Sequence, residues 1–258
     1  MNAALTAGRW LAFDTSTDVL SLGLACGDQV WTQSLPGGAQ ASSGLIPAVL
    51  AMLAEAQMPL ASLDAIVFGR GPGSFTGLRT ACAVAQGLAF GADLPVLPVD
   101  TLLAVAEEAR LVWLQSGQWQ PSEDLTVLAL LDARMDEVYS ASYGWRAAVD
   151  ATPAGWQALG PLQVSAPEKI RVPEGPNLCW AGNAFAAYGQ RLPLGPRCPA
   201  LPTAQALLRL APALWAQGLA VPAEQAMPLY IRDKVAHTTA EREVLKAQAT
   251  LAKASLLG

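Results

Sequence analysis

Histidine is almost absent from this chain, whose 258 residues include only His237, close to the C-terminus. A serine or cysteine nucleophile would have to be activated by that single residue. The four cysteines lie far apart and form no CxxC pair: they are Cys26, Cys82, Cys179 and Cys198. Zinc sites and disulfide frameworks depend on closer cysteine spacing, so the sequence argues against both.

Charged residues are also scarce. They make up 14% of the chain, with a net charge of −5, while 52% of the residues are hydrophobic. This composition is sufficient for a buried core and argues against disorder. The negative charge disfavours a broad electrostatic contact with nucleic acid, so we expect any RNA to be bound through a partner.

Long apolar runs are lacking as well. No stretch reaches the ~18 residues that would indicate a membrane span. The N-terminus, MNAALTAGRWLAFD, has no basic segment followed by a long apolar one, as a signal peptide would have. We therefore expect a cytoplasmic protein without a membrane association.

The residues that are present alternate between strand and helix patterns. The segment "RWLAFDTSTDVLSLGLACGDQVW" predicts two strands, with turns at Thr15 to Asp18 and at Gly27–Asp28. Apolar positions at helical spacing predict a helix over residues 42–57, with Ser42 or Ser43 as its N-cap.

Strands followed by helices twice over predict an α/β protein of two related lobes. We place the N-terminal lobe at residues 1–104, the C-terminal lobe at residues 105–222 and a final segment at residues 223–258, which is expected to return to the first lobe. From Thr238 onward the composition favours a helix but the apolar stripe is weak, so the end of the chain is predicted to be a loose helix or disordered.

The segment "FGRGPGSFTGLRTACAVAQGLAFG" passes from a buried strand through a glycine-rich loop into a helix. A P-loop needs GxxxxGK[ST], but Leu78 and Arg79 follow Gly77 here, and the GxGxxG pattern fails as well. Backbone N–H groups at the start of the helix could still hold an anion. Asp14, which ends the first strand before Thr15, could organise a metal and a nucleotide as in actin-like ATPases, or belong to a hydroxyl-rich turn. A stand-alone nucleotide hydrolase is therefore one alternative.

A second alternative is a peptidase. Ser74 does not lie in a GxSxG motif, and a Ser–His pair would require His237 to fold back onto the loop. The simpler interpretation is that Ser74 is a helix N-cap.

A charged group downstream, Asp132, Arg134, Asp136 and Glu137, could form a catalytic cluster. It fits more easily as the turn of a hairpin over residues 125–143.

Packing offers a third interpretation of the glycine-rich segment. The helix after the loop is apolar nearly all round and rich in small residues, and the helix over residues 42–57 is largely apolar too. A helix without a solvated face is buried, either in its own core or against a partner. The residues alone leave open whether these two helices only cover their own sheet or also form an association surface.

Four segments together carry a specific resemblance: "LAFDTSTDVLSLGL", "GRGPGSFTGLRTACAVAQGLAFG", "LLDARMDEVYSASY" and "PLYIRDKVA". In this order they resemble the TsaB family, also called YeaZ, of bacterial accessory proteins in threonylcarbamoyladenosine synthesis on tRNA. The resemblance implies a two-lobed actin-like or Hsp70-like fold, each lobe a mixed sheet with helices, related to the catalytic subunit TsaD. It aligns Thr101 and Val105 with the two metal-binding histidines of TsaD, and neither side chain can ligate a metal as imidazole does.

The resemblance further implies a non-catalytic subunit with no metal and no cofactor of its own, while ATP and a metal ion act on partner subunits. The expected partners are a TsaD-like catalytic subunit, a TsaE-like ATPase and a second copy of the chain, with tRNA bound through the complex. Asp14 and Thr15 would be a vestigial nucleotide site. The partner interface is expected at Leu45, Ile46, Val49, Leu53, Gly71, Gly73, Ser74, Phe75, Thr76, Gly77, Leu78, Arg79 and Cys82.

Overall fold

The first of two mixed β-sheets contains five strands. We analysed a computed structural model, which describes residues 8–149 and 152–232; the predicted C-terminal helix and His237 lie outside the described residues. The strands are β1 (Arg9–Asp14), β2 (Val19–Cys26), β3 (Gln29–Pro36), β4 (Ala65–Gly71) and β5 (Val96–Asp100). Their order is β3-β2-β1-β4-β5. The first three strands pair antiparallel, and β1, β4 and β5 pair parallel.

The second sheet repeats this plan. Its strands are β6 (Leu125–Arg134), β7 (Glu137–Arg146), β8 (Gly155–Ala158), β9 (Gln163–Ser165), β10 (Leu178–Gly182) and β11 (Arg197–Pro199). The order is β11-β10-β6-β7-β8, with β9 also paired to β7. Here β6, β7 and β8 pair antiparallel, and β6, β10 and β11 pair parallel. Because each sheet joins an antiparallel meander to two parallel strands in the same order, the predicted pair of related α/β lobes is confirmed.

The described residues form five α-helices: α1 (Ala41–Glu55), α2 (Phe75–Ala92), α3 (Thr101–Gln115), α4 (Ala184–Tyr188) and α5 (Ala204–Ala216). Helices α1 and α2 cover one face of the first sheet and α5 covers the other, while α4 packs on β6 of the second sheet. The side chains of β1 alternate: Leu11 and Phe13 pack in the cluster that contains α1 and α2, while Trp10 and Ala12 pack in the cluster that contains α5. A strand that is buried on both faces reads as a continuous apolar run, which explains residues 10–13 of β1.

The start of α1 differs from the prediction. Its N-cap position is Gln40, which makes no side-chain capping bond. The hydroxyls of Ser42 and Ser43 instead donate to the carbonyls of Ala39 and Gln40. The predicted serine cap is wrong because a turn of 3₁₀ helix leads directly into α1, and the Ala41 N–H already donates within that turn.

The contacts of α3 and of the C-terminal part of the described chain cross the predicted lobe boundaries. Residue 104 lies inside α3, which packs in the core clusters of both lobes. Helix α5 packs on β1 and β2. Val221 forms a backbone bridge with Val96, and Ala226 is buried in the core of the first lobe. The boundaries near residues 104 and 222 stay a prediction.

Candidate functional site

The glycine-rich loop joins β4 to α2 and is tied to the first lobe by its backbone. The Gly71 N–H donates to the hydroxyl of Thr101 at 3.1 Å, and the Ser74 N–H donates to the carbonyl of Ser16 at 2.8 Å. Gly71 has a φ of +121°, which L-residues rarely adopt. The Ser74 side chain accepts a hydrogen bond from the Gly77 N–H, so the predicted N-cap of α2 is confirmed.

Gly77 allows α2 to lie directly against the turn between β1 and β2. The hydroxyl of Thr15 donates to the Gly77 carbonyl at 2.7 Å. A β-carbon at position 77 would overlap the Thr15 carbonyl. The glycine is therefore required for close backbone approach.

Asp14 lies beneath this loop and is fully buried. Its Oδ1 accepts from the Ser16 N–H at 2.8 Å and from the Ser16 hydroxyl at 2.6 Å. Thr101 Oγ1 lies 3.5 Å from the second carboxylate oxygen. Burial raises the pKa of Asp14 to about 6, although the hydrogen bonds from Ser16 and Thr101 act in the opposite direction. Asp14 and the equally buried Thr15 thus hold the loop in place.

The two positions that the resemblance aligned with metal-binding histidines are both in α3. Thr101 is buried and bridges Gly71 to Asp14. Val105 is buried in the core of the second lobe. Among residues 8–149 and 152–232, no group of three histidine, cysteine, aspartate or glutamate side chains is placed to hold a metal ion.

A cavity of about 290 Å³ opens between the lobes. Its lining includes Gly73, Ser74, Phe75 and Leu78 from the loop and α2, Asp132 to Met135 from the second lobe, and Leu229 to Arg232. Two guanidinium groups lie at this cavity. Arg134 donates to Asp18 at 2.9 Å, and Arg232 donates to Glu137 at 2.6 Å, so both charges are compensated within the chain.

The charged group near residue 134 is a turn, as the simpler interpretation predicted. Met135 and Asp136 connect β6 to β7, and both have positive φ values, as does Arg134 at the end of β6. Asp136 forms an ion pair with Arg191, which holds the pKa of that carboxyl below its ordinary value. The side chains of this group connect the hairpin to Asp18 in the first lobe and to Arg191 in the second.

Several residues expected at a partner interface belong to the core of their own lobe. Leu45, Val49, Leu53, Leu78 and Cys82 are buried by the chain itself. They cannot line an exposed surface, because their helix faces pack on the first sheet. The expectation is corrected for these five side chains. Gly71 and Gly77 are likewise buried, within the loop.

The outward sides of α1 and α2 form an exposed apolar surface, which we call the α1–α2 face. Its large apolar side chains are Ile46, Leu50, Phe75 and Phe90, which are 44%, 55%, 40% and 81% exposed. Thr76 and Arg79 are exposed on the same face, beside a groove of about 420 Å³. The only other charged residue in α1 and α2 is Glu55, at the end of α1.

Leu50 and Phe90 were missed in the sequence-based set. Both lie in helices that are apolar nearly all round, so spacing alone could not separate their exposed face from their buried one. The sequence signal for an exposed apolar face was the near absence of charged residues on both helices. Apolar side chains exposed together in this way mark a surface for association.

Comparisons with known proteins place the chain in a family. The family model described as TsaD, tRNA N6-adenosine threonylcarbamoyltransferase, matches residues 38–178. The tRNA threonylcarbamoyladenosine biosynthesis protein TsaB of Haemophilus influenzae is 35% identical over 87% of this chain and 94% of its own length. The chain belongs to the TsaB family. TsaB of Escherichia coli is 32% identical over 88% of this chain and 96% of its own.

Solved structures agree with this assignment to the TsaB family. YeaZ from Pseudomonas aeruginosa is 36% identical and aligns with a TM-score of 0.74 over 87% of this chain and all of the other. A second Pseudomonas aeruginosa structure, 35% identical with a TM-score of 0.72, is described as an uncharacterized protein with similarity to peptidase YeaZ. The predicted actin-like two-lobed fold is confirmed. The function of this TsaB-family chain lies in threonylcarbamoyladenosine biosynthesis.

None of the helices within residues 8–149 and 152–232 combines the length and the apolar character needed to cross a bilayer.

Proposed function

We propose that this chain is a non-catalytic subunit that binds a TsaD-like catalytic subunit through the α1–α2 face. The observation that carries the proposal is the exposure of Ile46, Leu50 and Phe90 on two neighbouring helices that carry almost no charge. Exposed apolar area on such a surface is a driving force for association, because binding removes it from water.

The polar groups around the glycine-rich loop favour a structural role over a catalytic one. Asp14 and Thr101 use their polar atoms to hold the loop beneath α2. Val105 offers no metal ligand at its position. The subunit would act without a cofactor of its own in the cytoplasm, while ATP and a metal ion are bound by its partners.

The same face would serve self-association, so that a homodimer and a heterodimer exclude one another. A TsaE-like ATPase would join the heterodimer, and tRNA would be bound through the assembled complex. The net charge of −5 supports this indirect route to tRNA, since a protein that binds nucleic acid by itself usually carries an excess of basic residues.

The binding test uses Leu50→Asp and Phe90→Asp, with Leu194→Asp as the matched control. Leu194 is 91% exposed in the second lobe, so its substitution adds the same charge away from the face. Calorimetric titration with the cognate TsaD-like protein should show lost affinity for the two face variants only. All three variants should keep the wild-type melting curve, because the substituted side chains are exposed.

The functional test is an omission experiment. Threonylcarbamoyl transfer to tRNA is measured with the TsaD-like subunit, the TsaE-like ATPase and the adenylate-forming enzyme, with and without this chain. Product should form only when the chain is present, and the face variants should fail to restore it. Equal product without the chain would refute the proposed role, and a purified chain that hydrolyses ATP by itself would favour the stand-alone enzyme.

A further inference from the structure

Among the described residues that line the groove of the α1–α2 face, Arg79 is the one charged side chain. Its guanidinium carbon lies 3.9 Å from the centre of the Phe75 ring, and its Nε donates to the hydroxyl of Tyr230 at 3.2 Å. The rings of Phe75 and Tyr230 are themselves in contact, with centroids 5.2 Å apart. Two aromatic residues therefore hold an exposed arginine in one orientation.

The charge of Arg79 is not compensated within the part of the chain that the structure describes. Most other arginines there pair with a carboxylate, among them Arg70 with Asp100 and Arg146 with Asp124. Arg79 forms no such pair with residues 8–149 or 152–232. Its Nε donates to Tyr230, while its two terminal nitrogens form no hydrogen bond with the described residues and keep donors for a planar acceptor.

This arrangement reduces the cost of binding an acceptor. A free arginine side chain loses much of its rotamer entropy when it is fixed. The contacts with Phe75 and Tyr230 restrict that motion before a partner arrives, and preorganisation raises affinity by lowering this cost. A carboxylate is the acceptor that fits best, because its two oxygens match the guanidinium fork.

We propose that Arg79 receives a carboxylate of the TsaD-like partner and determines the specificity of the α1–α2 face, with Phe75 and Tyr230 as positioning residues. The inference rests on the proposed function and identifies the chemistry that the partner must present. The apolar side chains supply the general driving force, while one buried charge pair fixes the register and selects the partner. Tyr230 also links the face to the interlobe cavity, which both Tyr230 and Phe75 line.

The test is calorimetric titration of the full chain with the cognate TsaD-like protein at low and at high salt. Arg79→Gln should weaken binding by about tenfold to a hundredfold, the range for a charge-assisted hydrogen bond. Arg79→Lys should fall between Arg79→Gln and wild type, because lysine keeps the charge but lacks the fork. Tyr230→Phe keeps the ring and loses the hydroxyl, and should weaken binding by about twofold to tenfold.

Salt dependence separates a charge pair from a change in shape. Wild-type affinity should fall as salt is raised, and this fall should be much smaller for Arg79→Gln. Arg146→Gln is the matched control, since Arg146 is exposed in the second lobe and pairs with Asp124; it should bind as wild type does. Arg79→Glu should abolish binding. Replacing one acidic residue of the partner's interface by arginine should restore the binding of this variant.

The outcomes distinguish this inference from the function on which it rests. Wild-type chain that does not bind the TsaD-like protein refutes the proposed function. Wild-type binding with equal affinity for Arg79→Gln refutes only the role of Arg79. A melting temperature that drops for Arg79→Gln would also overturn the inference, because it would show that the charge is used inside the chain. Equal weakening by Arg146→Gln would show a general effect of net charge and overturn it as well.

Discussion

The hydroxyl of Thr15 donates a 2.7 Å hydrogen bond to the carbonyl of Gly77, while the Thr15 carbonyl fills the space that a side chain at position 77 would need. This contact joins the turn between β1 and β2 to the start of α2. It fixes the position of the whole helix, and therefore of the α1–α2 face. This packing explains why a glycine is required at position 77 of the glycine-rich segment.

Replacement of Gly77 by alanine should disturb this contact. The added β-carbon overlaps the Thr15 carbonyl, and this buried backbone cannot shift without disturbing its own packing. We therefore expect the free energy of unfolding to fall by at least about 1–3 kcal/mol. Gly87→Ala is the control, because a β-carbon there meets open space. In the same helix it should stabilise by roughly 0.5–1 kcal/mol. Urea denaturation of both variants measures the difference; equal stabilities would contradict the packing role.

Asp14 should make stability depend on pH. Its pKa is raised by burial from 3.8 to about 6, so the folded state binds the proton more tightly than the unfolded state does. This contribution is therefore fully present below the unfolded pKa and is lost as pH rises through about 6. We expect the free energy of unfolding to fall by roughly 2–3 kcal/mol over this window through this group alone.

Asp14→Asn should remove that part of the pH dependence. The amide side chain of this variant keeps an oxygen that can accept the hydrogen bonds from Ser16, so the loop is retained. Asp28→Asn, at an exposed turn, is the control and should leave the wild-type profile unchanged. Urea denaturation from about pH 4 to pH 7 would contradict the assignment if the Asp14→Asn profile followed that of wild type.

The strands and helices of the first lobe were largely predictable from the sequence, because β1 and β4 are apolar runs ended by turn residues. The third strand was not. Strand β3 is an exposed edge strand, and its sequence, QVWTQSLP, has no clear apolar alternation. Strands β8 and β9 were not predicted either. They are short, and they are stabilised more by pairing with β7 than by an apolar pattern of their own.

The candidate site was predictable as a segment but not as a surface. The motif located α2, and the lack of charge indicated that both α1 and α2 bury their surfaces. Which side each residue occupies depends on the sheet beneath, so Leu45 and Leu50 could not be separated from the sequence. The contact between Arg79 and Tyr230 joins residues that are 151 positions apart in the sequence. A local sequence pattern cannot predict a contact of this kind.

Glu107 should be the most sensitive charged residue of the fold. It is buried in α3 and accepts hydrogen bonds from Arg110, from Arg209 in α5 and from Trp156 in β8. Burial alone would raise its pKa, but the hydrogen bonds and charges of the arginines outweigh it and hold the pKa below its ordinary value. Glu107→Gln should cost about 3–5 kcal/mol, because it leaves the mostly buried Arg110 guanidinium without a carboxylate, whereas Arg209 keeps its ion pair with Glu108.

The pH dependence has the opposite sign to that of Asp14. Because the pKa of Glu107 is lowered on folding, its stabilisation is present above the unfolded value of 4.5 and is lost as pH falls through the folded value. Thermal or urea unfolding at neutral and acidic pH should show a large difference between wild type and Glu107→Gln that narrows in acid. The exposed Glu174→Gln should change stability by no more than about 0.5 kcal/mol.

Leu45 and Leu50 lie five positions apart in α1 and should respond to alanine in opposite ways. Leu45 is wholly buried against the first sheet, so Leu45→Ala should cost about 2–5 kcal/mol of folding free energy. Leu50 is 55% exposed, so Leu50→Ala should change stability by no more than about 0.5 kcal/mol. It should nevertheless weaken binding to the TsaD-like protein, since it removes apolar area from the α1–α2 face. Measuring both quantities for both variants separates the core of the lobe from its surface, and a stable Leu50→Ala with undiminished affinity would move the interface away from this part of α1.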